Sequence, residues 1–292
     1  MRVVVFGASG FVGRALLPAL AAELDVVAVS RKPHPPQEGV MWVVGDVADV
    51  SAVRRALEGA EVAYYLVHSL GSPDFEQRDV AGARTTAREA EAAGVRQLVY
   101  LGGLGEAAED LSPHLRSRLE TGRALASGAV PLTTLRAAVV VGKGSAAFET
   151  IVALVDRLPV MVAPRWVSTP TQPIALADTV RYLAAVAGRE ETIGETYDLG
   201  GPEVMTYRQM IERVAAMRRK RRAIIEVPVL TPFLSSLWLH LVTPVGASVA
   251  RPLVEGLRNP TVAEDRRILD LVPFPLTPFD RAAREALDVG DS

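Results

Sequence analysis

Three glycines at intervals of three residues follow the first apolar run of the chain. They lie in the stretch Gly7-Ala8-Ser9-Gly10-Phe11-Val12-Gly13, directly after a predicted strand and directly before a predicted helix. Glycine here allows a tight turn, close approach of the backbone to a pyrophosphate and close helix packing, while the helix N-terminus offers free N–H groups. The loop therefore predicts a dinucleotide site whose contacts are Gly7, Ser9, Gly10, Phe11, Val12 and Gly13.

The end of the second apolar run decides which dinucleotide is expected. An acidic side chain at this place accepts from a ribose 2′-hydroxyl, whereas a basic one pairs with a 2′-phosphate. This chain has Ser30-Arg31-Lys32 there. Two cations without an acid favour NADP(H), and NAD(H) stays as the alternative because exposed basic residues are common in loops. All three residues are expected to contact the cofactor.

Two later segments extend the predicted cofactor site. Asp46 closes the third apolar run, followed by Val47, and is placed to accept from an adenine amino group; an N-cap or an Asx turn is the alternative role. His68 and Ser69 end the fourth run, at the edge where open α/β sheets bind ligands. We expect both to meet the pyrophosphate or the nicotinamide.

These residues follow apolar runs that alternate with amphipathic stretches, and this alternation predicts the fold. Val- and Leu-rich runs cover residues 2–6, 25–30, 40–44, 61–67, 95–101 and 132–141, and helical patterns cover 11–24, 51–58, 74–93 and 114–127. A strand–helix–strand spacing of about thirty residues implies right-handed crossovers. The chain is therefore predicted to be α/β, with a Rossmann doubly wound parallel sheet.

The alternation ends near residue 143, where Pro-rich segments and separate helices begin. Residues 1–142 are expected to form the dinucleotide-binding domain, with 171–187 returning to it. Residues 143–170 and 188–292 are expected to form a smaller C-terminal α+β lobe for substrate or interaction.

Composition excludes several classes of protein. The 292 residues are 49% apolar with a net charge of −2, as in ordinary globular proteins. The chain has no cysteine, which excludes disulfide scaffolds, thiolate nucleophiles and zinc–thiolate sites. No metal site is expected, and a pI of about 6.1 argues against a nucleic-acid partner. The first apolar run is too short for a signal-peptide core, so a cytoplasmic protein is expected.

One long segment without charge needs a separate interpretation. Residues 227–250 contain no Asp, Glu, Lys or Arg across 24 positions, which is long enough to span a membrane. Pro228, Pro232 and Pro244 interrupt it. A core helix, the wall of an apolar pocket or a homo-oligomer contact is therefore expected rather than a membrane span.

The motifs resemble those of the atypical short-chain dehydrogenase/reductases. The resemblance rests on the N-terminal glycine spacing, on Gly45-Asp46-Val47 and on the sixth-run segment Thr133-Thr134-Leu135-Arg136. More narrowly, the chain resembles a bacterial NAD(P)H-binding subgroup of the NmrA-like branch, near the NADPH-binding accessory subunit of respiratory complex I. Further matching stretches are Tyr65–Ser69, Tyr100–Leu104, His114–Arg118, Leu158–Met161, Pro164–Trp166 and Gln172–Ile174. The resemblance implies a Rossmann fold and a nicotinamide cofactor.

The chain departs from the wider superfamily at the catalytic positions. Typical members place Ser or Thr after the fifth strand and a Tyr-x-x-x-Lys pair on the next helix, whereas this chain has Gly102-Gly103 and His114-x-x-x-Arg118. His114 could act as a general acid near neutral pH, and Arg118 could hold the nicotinamide ribose. His68 is a second candidate for proton delivery. The alternative for His114 is a helix-opening residue behind Ser112-Pro113.

Three functions remain open from the sequence. The first is an NADPH-dependent oxidoreductase acting on a small, largely apolar substrate, with proton delivery by His114, His68 or water. The others are a non-catalytic NAD(P)H-binding sensor or regulator, and an assembly factor that uses bound NADPH structurally. Loss of the usual triad favours the last two, while the polar residues kept at the sheet edge favour the enzyme.

Overall fold

The computed structural model of the chain describes residues 1–69, 74–105, 111–227 and 258–289, and for residues 164–166 it describes the backbone alone. Of the charge-free segment 227–250 only Val227 falls in these ranges, so the expectation of a core helix, pocket wall or oligomer contact lies outside the described residues. Among the helices within those ranges, none has both the length and the apolar character that crossing a bilayer requires.

Seven parallel strands form the central sheet, numbered here in chain order with all other strands. They are β1 Arg2–Phe6, β2 Asp25–Ser30, β3 Val40–Val44, β4 Val62–Tyr65, β5 Gln97–Gly103, β6 Leu132–Ala137 and β11 Thr196–Leu199. Their order is β11-β6-β5-β4-β1-β2-β3, and every neighbouring pair is parallel. The order reverses between β1 and β4, as in a doubly wound sheet. The predicted Rossmann fold is confirmed.

Helices cover both faces of this sheet, which is why its strands are nearly continuous apolar runs. On one face lie α1 Phe11–Ala21 and α6 Leu176–Ala185; on the other lie α2 Val50–Leu57, α3 Phe75–Ala92 and α4 Pro113–Leu125. Side chains alternate along each strand. Val3 and Val5 therefore pack in the core with α1 and α6, while Val4 and Phe6 pack in the core on the opposite face.

The register of the central strands brings their carboxyl ends together at one edge of the sheet. Phe6, the last residue of β1, pairs with Val29 on β2 and with Tyr65 on β4. The carboxyl ends of these three strands are therefore level. The segments that follow them, including the glycine loop and His68, meet at this edge.

A second group of elements surrounds a separate apolar core. Three two-stranded sheets pair β7 Val140–Val141 with β10 Ile174–Ala175, β8 Val160–Pro164 with β13 Ala223–Val227, and β9 Pro170–Thr171 with β12 Met205–Thr206. The helices are α5 Ala146–Arg157, α7 Tyr207–Met217 and α9 Phe279–Ala286. Phe148, Met210 and Phe279 are buried together in this core. A further short helix, α8 Arg267–Leu271, places Ile268 in the core shared by the central sheet, α1 and α6.

One part of the predicted lobe belongs to the central sheet. Thr196–Leu199, inside the range 188–292, forms the edge strand β11 and pairs in parallel with β6. The run is short and contains a charge, so its sequence does not resemble a buried strand. That charge is neutralised across the strands, because Asp198 forms an ion pair of 2.6 Å with Arg136. The remaining division of the chain into a dinucleotide-binding domain and a smaller lobe stays a prediction.

Candidate functional site

A cavity of about 370 Å³ opens at the carboxyl edge of the sheet, beside the point where β1 and β4 are neighbours. Open α/β sheets bind their ligands at this place. Nine of the residues predicted to bind the cofactor line it: Gly7, Ser9, Gly10, Ser30, Arg31, Asp46, Val47, His68 and Ser69. Four predicted contacts, Phe11, Val12, Gly13 and Lys32, are not among its described lining residues.

The three glycines of the loop have different structural roles. Gly7 has φ +81°, and a Cβ there would lie 2.6 Å from the carbonyl oxygen of Leu66. A Cβ on Gly13 would lie 2.4 Å from the carbonyl oxygen of Gly7. Both glycines are therefore required by the fold itself. Gly10 is the N-cap of α1 with φ −73° and ψ 176°, a conformation open to any residue, but a Cβ there would lie 3.1 Å from the carbonyl oxygen of Gly7. Its small size therefore serves both the tight turn and the cavity.

The N-terminus of α1 suits an anionic group. No side chain caps the helix, and its first turn contains no acid. Within the described residues, the N–H groups of Phe11, Val12 and Gly13 have no acceptor. Free N–H groups at the positive end of a helix dipole bind phosphate. Phe11, Val12 and Gly13 therefore contribute to the candidate site through their backbone, although they do not line the cavity.

Two arginines stand on the walls of the cavity. Arg31 follows β2, and Arg78 comes from α3; both are exposed, and neither has an ion pair within the described part of the chain. Arg31 was predicted from the end of β2. Arg78 was missed, since an exposed arginine in a charged helix has no distinctive sequence signal. Lys32 is exposed outside the lining, where its backbone N–H donates to the Ser30 hydroxyl at 3.3 Å.

The side chain of Asp46 forms an Asx turn, one of the two alternative roles predicted from the sequence. Its Oδ1 accepts from the backbone N–H of Ala48 at 2.9 Å, which is an Asx turn. The N-cap of α2 is Asp49 instead. Because Asp46 also lines the cavity and its Oδ2 accepts no hydrogen bond from a described residue, the Asx turn and a cofactor contact are compatible.

Two histidines and a buried carboxylate form a connected row, of which only His68 is among the described residues that line the cavity. Nδ1 of His68 lies 2.7 Å from Oδ2 of Asp79, and Nε2 of His68 lies 3.2 Å from Nδ1 of His114. Asp79 is on α3 and is fully buried, and its Oδ1 accepts from the backbone N–H of Ser69 at 2.9 Å. Asp79 was missed from the sequence, where it is one charge among several in an amphipathic helix.

Burial keeps both imidazole rings neutral near pH 7. It lowers the pKa of His68, against the opposing effect of the Asp79 hydrogen bond. Burial lowers the pKa of His114 further, and the neighbouring His68 and the Arg118 guanidinium add to that effect. An imidazolium acid at position 114 is therefore not favoured at neutral pH. In the tautomer with its hydrogen on Nδ1, the neutral ring presents Nε2 as an acceptor, and this atom has no hydrogen-bond partner within the described residues.

Arg118 is held inside the protein rather than at the cavity. Its guanidinium donates from Nη2 to the carbonyl of Leu101 on β5 and lies over the ring of Tyr100. The side chain is nearly buried and is not among the described lining residues. The geometry therefore does not bring Arg118 to the place where it was expected to hold a ribose.

Comparison with known proteins finds a family match in the N-terminal part of the chain and similar proteins over most of its length. Residues 7–136 match a family model described as NAD(P)H-binding. The chain is 29% identical over 224 residues to the (4-alkanoyl-5-oxo-2,5-dihydrofuran-3-yl)methyl phosphate reductase of Streptomyces griseus, covering 73% of this chain and 72% of that protein. It is 23% identical over 239 residues to subunit 9 of the mitochondrial NADH dehydrogenase [ubiquinone] 1 alpha subcomplex of Arabidopsis thaliana. That match covers 77% of this chain but only 60% of the plant subunit.

Solved structures agree with the fold over nearly the whole chain. A triphenylmethane reductase of Citrobacter sp., complexed with NADP(H), is similar with a TM-score of 0.78 and 16% identity, covering 98% of this chain and 100% of that one. This similarity shows that the chain shares the fold of that reductase. The residues that match the NAD(P)H-binding family model include the glycine loop and nearly all the residues that line the cavity.

Proposed function

We propose that the chain is an NADPH-dependent oxidoreductase acting on a small, largely apolar substrate. One observation carries the proposal: a single cavity is lined by the glycine loop, by Arg31 and by His68, and His68 connects through hydrogen bonds to Asp79 and His114. A site for an anionic dinucleotide and a path for a proton therefore adjoin each other. The reductases among the similar proteins support the same class of reaction.

The residues present fit NADP(H). The backbone N–H groups that begin α1 and the small Gly10 would hold the pyrophosphate, Arg31 would pair with the 2′-phosphate, and Asp46 would accept from the adenine amino group. When bound, the cofactor supplies or accepts a hydride. The unpaired state of Arg31 within the described residues supports NADP(H) over NAD(H).

A carbonyl that gains a hydride also needs a proton on its oxygen, and the reverse reaction must remove that proton. His114 is the candidate to exchange it, because both ring nitrogens of His68 are already hydrogen-bonded. With both rings neutral near pH 7, the pair is suited to take a proton from an alcohol. Reduction should therefore become faster as pH falls towards the pKa of the pair.

A second candidate function is a non-catalytic NAD(P)H-binding sensor or assembly factor. Arg118 favours it, because its guanidinium is bonded to Leu101 inside the protein and does not replace the ribose-holding lysine of typical reductases. The similarity to a plant NADH dehydrogenase subunit also favours it. The apolar substrate and the cytoplasmic location stay predictions from the sequence.

A two-stage experiment tests the proposal. Fluorescence titration of the full chain with NADPH and with NADH measures binding, and a panel of apolar carbonyls, enones and alcohols then measures oxidation or reduction of the cofactor across pH 5.5–9 (roughly the titration range of histidine). Tighter NADPH binding with turnover supports the enzyme. Tight binding without any turnover supports the sensor or assembly factor, and absence of binding overturns both.

A further inference from the structure

Asp79 is an unusual buried charge. Its side chain is fully buried in α3, and in the part of the chain that the structure describes no lysine or arginine pairs with it. A buried carboxylate is costly unless it is paired or fully hydrogen-bonded. Its side-chain partners here are the backbone N–H of Ser69 and the ring of His68. His68 is therefore the group that can neutralise this charge.

The carboxylate fixes the tautomers of both rings. An ionised carboxylate only accepts hydrogen bonds, so Nδ1 of His68 must carry the hydrogen. Nε2 of neutral His68 is then an acceptor, and Nδ1 of His114 must donate to it. This leaves Nε2 of His114 with a free lone pair. The order of hydrogens along the row follows from one buried charge.

We propose that Asp79, His68 and His114 form a proton relay in which Asp79 is a positioning residue and Nε2 of His114 is the reacting atom. As a substrate O–H bond breaks, an N–H bond forms at Nε2 of His114, and the hydrogen on its Nδ1 moves to Nε2 of His68. The positive charge then lies on His68, beside the Asp79 carboxylate. No group in the relay is oxidised or reduced. That this relay accepts a proton from a substrate rests on the proposed oxidoreductase function.

The groups around His68 and His114 explain why the positive charge is more stable on His68 than on His114. From α4, the Arg118 guanidinium disfavours a positive charge on either ring. From α3, the Asp79 carboxylate favours it on His68 alone, and the uncharged edge of Phe75 meets the His68 ring at 81°. On β4, the hydroxyl of Tyr65 donates to the backbone carbonyl of Asp79 and holds that residue in place.

The tautomers can be measured directly. The chain has four histidines, so long-range ¹H–¹⁵N spectra of histidine-labelled protein can be assigned with single His→Gln variants. At pH 7.5 the relay requires hydrogens on Nδ1 of both His68 and His114. A hydrogen on Nε2 of His68 in the unmodified protein would overturn the relay, and this measurement needs no variant that must fold.

Asp79→Asn provides the second measurement. The N–H of Ser69 still requires an oxygen, so the new amide must turn its NH₂ group towards His68. That reverses the row: the hydrogens should move to Nε2 of His68 and Nε2 of His114. Asp178→Asn is the matched control, because Asp178 is an equally buried helix carboxylate that binds Thr277 instead. Unchanged tautomers in folded Asp79→Asn overturn the proposal.

Turnover measurements distinguish failure of the proton relay from failure of the proposed oxidoreductase function. Where a substrate is found, Asp79→Asn should lower turnover on the order of 10²-fold and shift the pH profile to lower pH, with NADPH affinity unchanged. If the tautomers are as required but no substrate reacts, the relay stands and the oxidoreductase assignment fails. If substrate reacts while Asp79→Asn keeps the parent pH profile, the relay fails and the oxidoreductase stands.

Discussion

The guanidinium carbon of Arg118 lies 4.7 Å from the centre of the Tyr100 ring, and the Tyr100 hydroxyl donates to the backbone carbonyl of Arg118 at 2.8 Å. The two residues thus contact each other twice and join α4 to β5. The position that would carry a ribose-holding lysine in typical short-chain reductases has become part of the packing between a helix and the sheet. Its charge still acts on the neighbouring histidines.

Replacing Arg118 with methionine should affect the histidines and the stability, but not the cofactor. Loss of the guanidinium should raise the pKa of His68 and of His114, and loss of its hydrogen bond to Leu101 should cost about 1–3 kcal/mol. NMR titration and urea unfolding measure the two effects, with the exposed Arg123→Met on the same helix as the control. A large loss of NADPH affinity at unchanged stability would restore the ribose-holding role.

Gly10→Val should separate binding from folding. The dihedral angles of Gly10 allow a side chain, and its Cβ would lie 3.1 Å from the carbonyl oxygen of Gly7, a contact that a small shift relieves. The added branches would occupy the space needed by a pyrophosphate, so NADPH affinity should fall by roughly 100-fold or more with only a small loss of stability. Fluorescence titration and thermal melting measure the two properties. Gly13→Ala is the contrasting variant and should unfold at a lower temperature, because its Cβ would lie 2.4 Å from a backbone oxygen. Normal NADPH affinity in Gly10→Val would remove the basis of the assigned site.

Arg31→Asp should reverse or erase the preference for NADPH over NADH. A charge-assisted contact to the 2′-phosphate contributes about 1.5–3 kcal/mol, so NADPH affinity should fall by about 10- to 100-fold. Parallel titrations with the two dinucleotides measure the ratio. Arg84→Asp makes the same charge change at an exposed position of α3 that does not line the cavity and should leave the ratio unchanged. Equal ratios in Arg31→Asp and the parent would mean that the 2′-phosphate is recognised elsewhere.

His114→Ala should lower turnover by about 10²–10⁴-fold with little change in NADPH affinity, as loss of a proton-transfer group does. Steady-state rates on a substrate found in the panel, together with cofactor titration, test this. Arg123→Ala, on the exposed side of the same helix, should turn over at the parent rate. Parent-like turnover in His114→Ala would transfer the role to water or to another residue.

Acid should destabilise the protein through the two partly buried imidazole rings. Folding lowers the pKa of His68 and of His114 below the ordinary histidine value of 6.5, so at mildly acidic pH the unfolded chain binds protons that the folded chain does not. Stability should therefore rise with pH and be lost as pH falls below about 6.5. Urea unfolding at pH 7.5 and 5.5 should show a smaller loss for His114→Gln than for the parent. Equal losses in the two proteins would contradict the assignment.

Most of the fold could be predicted because it depends on local patterns. The apolar runs at 2–6, 25–30 and 40–44 are strands with those bounds. The first two are almost entirely buried, as strands covered on both faces are, whereas 40–44 is an edge strand with Met41 and Val44 exposed. β11 could not be found, because four residues with a central aspartate become strand-like only when Arg136 is alongside. The predicted run at 132–141 divides into β6 and β7 where the chain leaves the central sheet.

The parts of the candidate site that lie in loops after strands could be predicted from the sequence. The side-chain contacts between residues distant in the chain could not. The glycine loop and Arg31 were identified from their position after strands. His68 and His114 follow neighbouring strands, so their closeness is a consequence of topology, but their hydrogen bond is not visible from residues 46 positions apart. Asp79 became recognisable only once its burial was known.

The two short helices near the C-terminus have a consequence for biosynthesis. Ile268 of α8 fills the core beneath the central sheet, and Phe279 of α9 fills the second core. During translation both cores therefore remain unfinished until residues up to 286 have left the ribosome. Until then, the apolar surfaces that those side chains will cover stay exposed on the nascent chain.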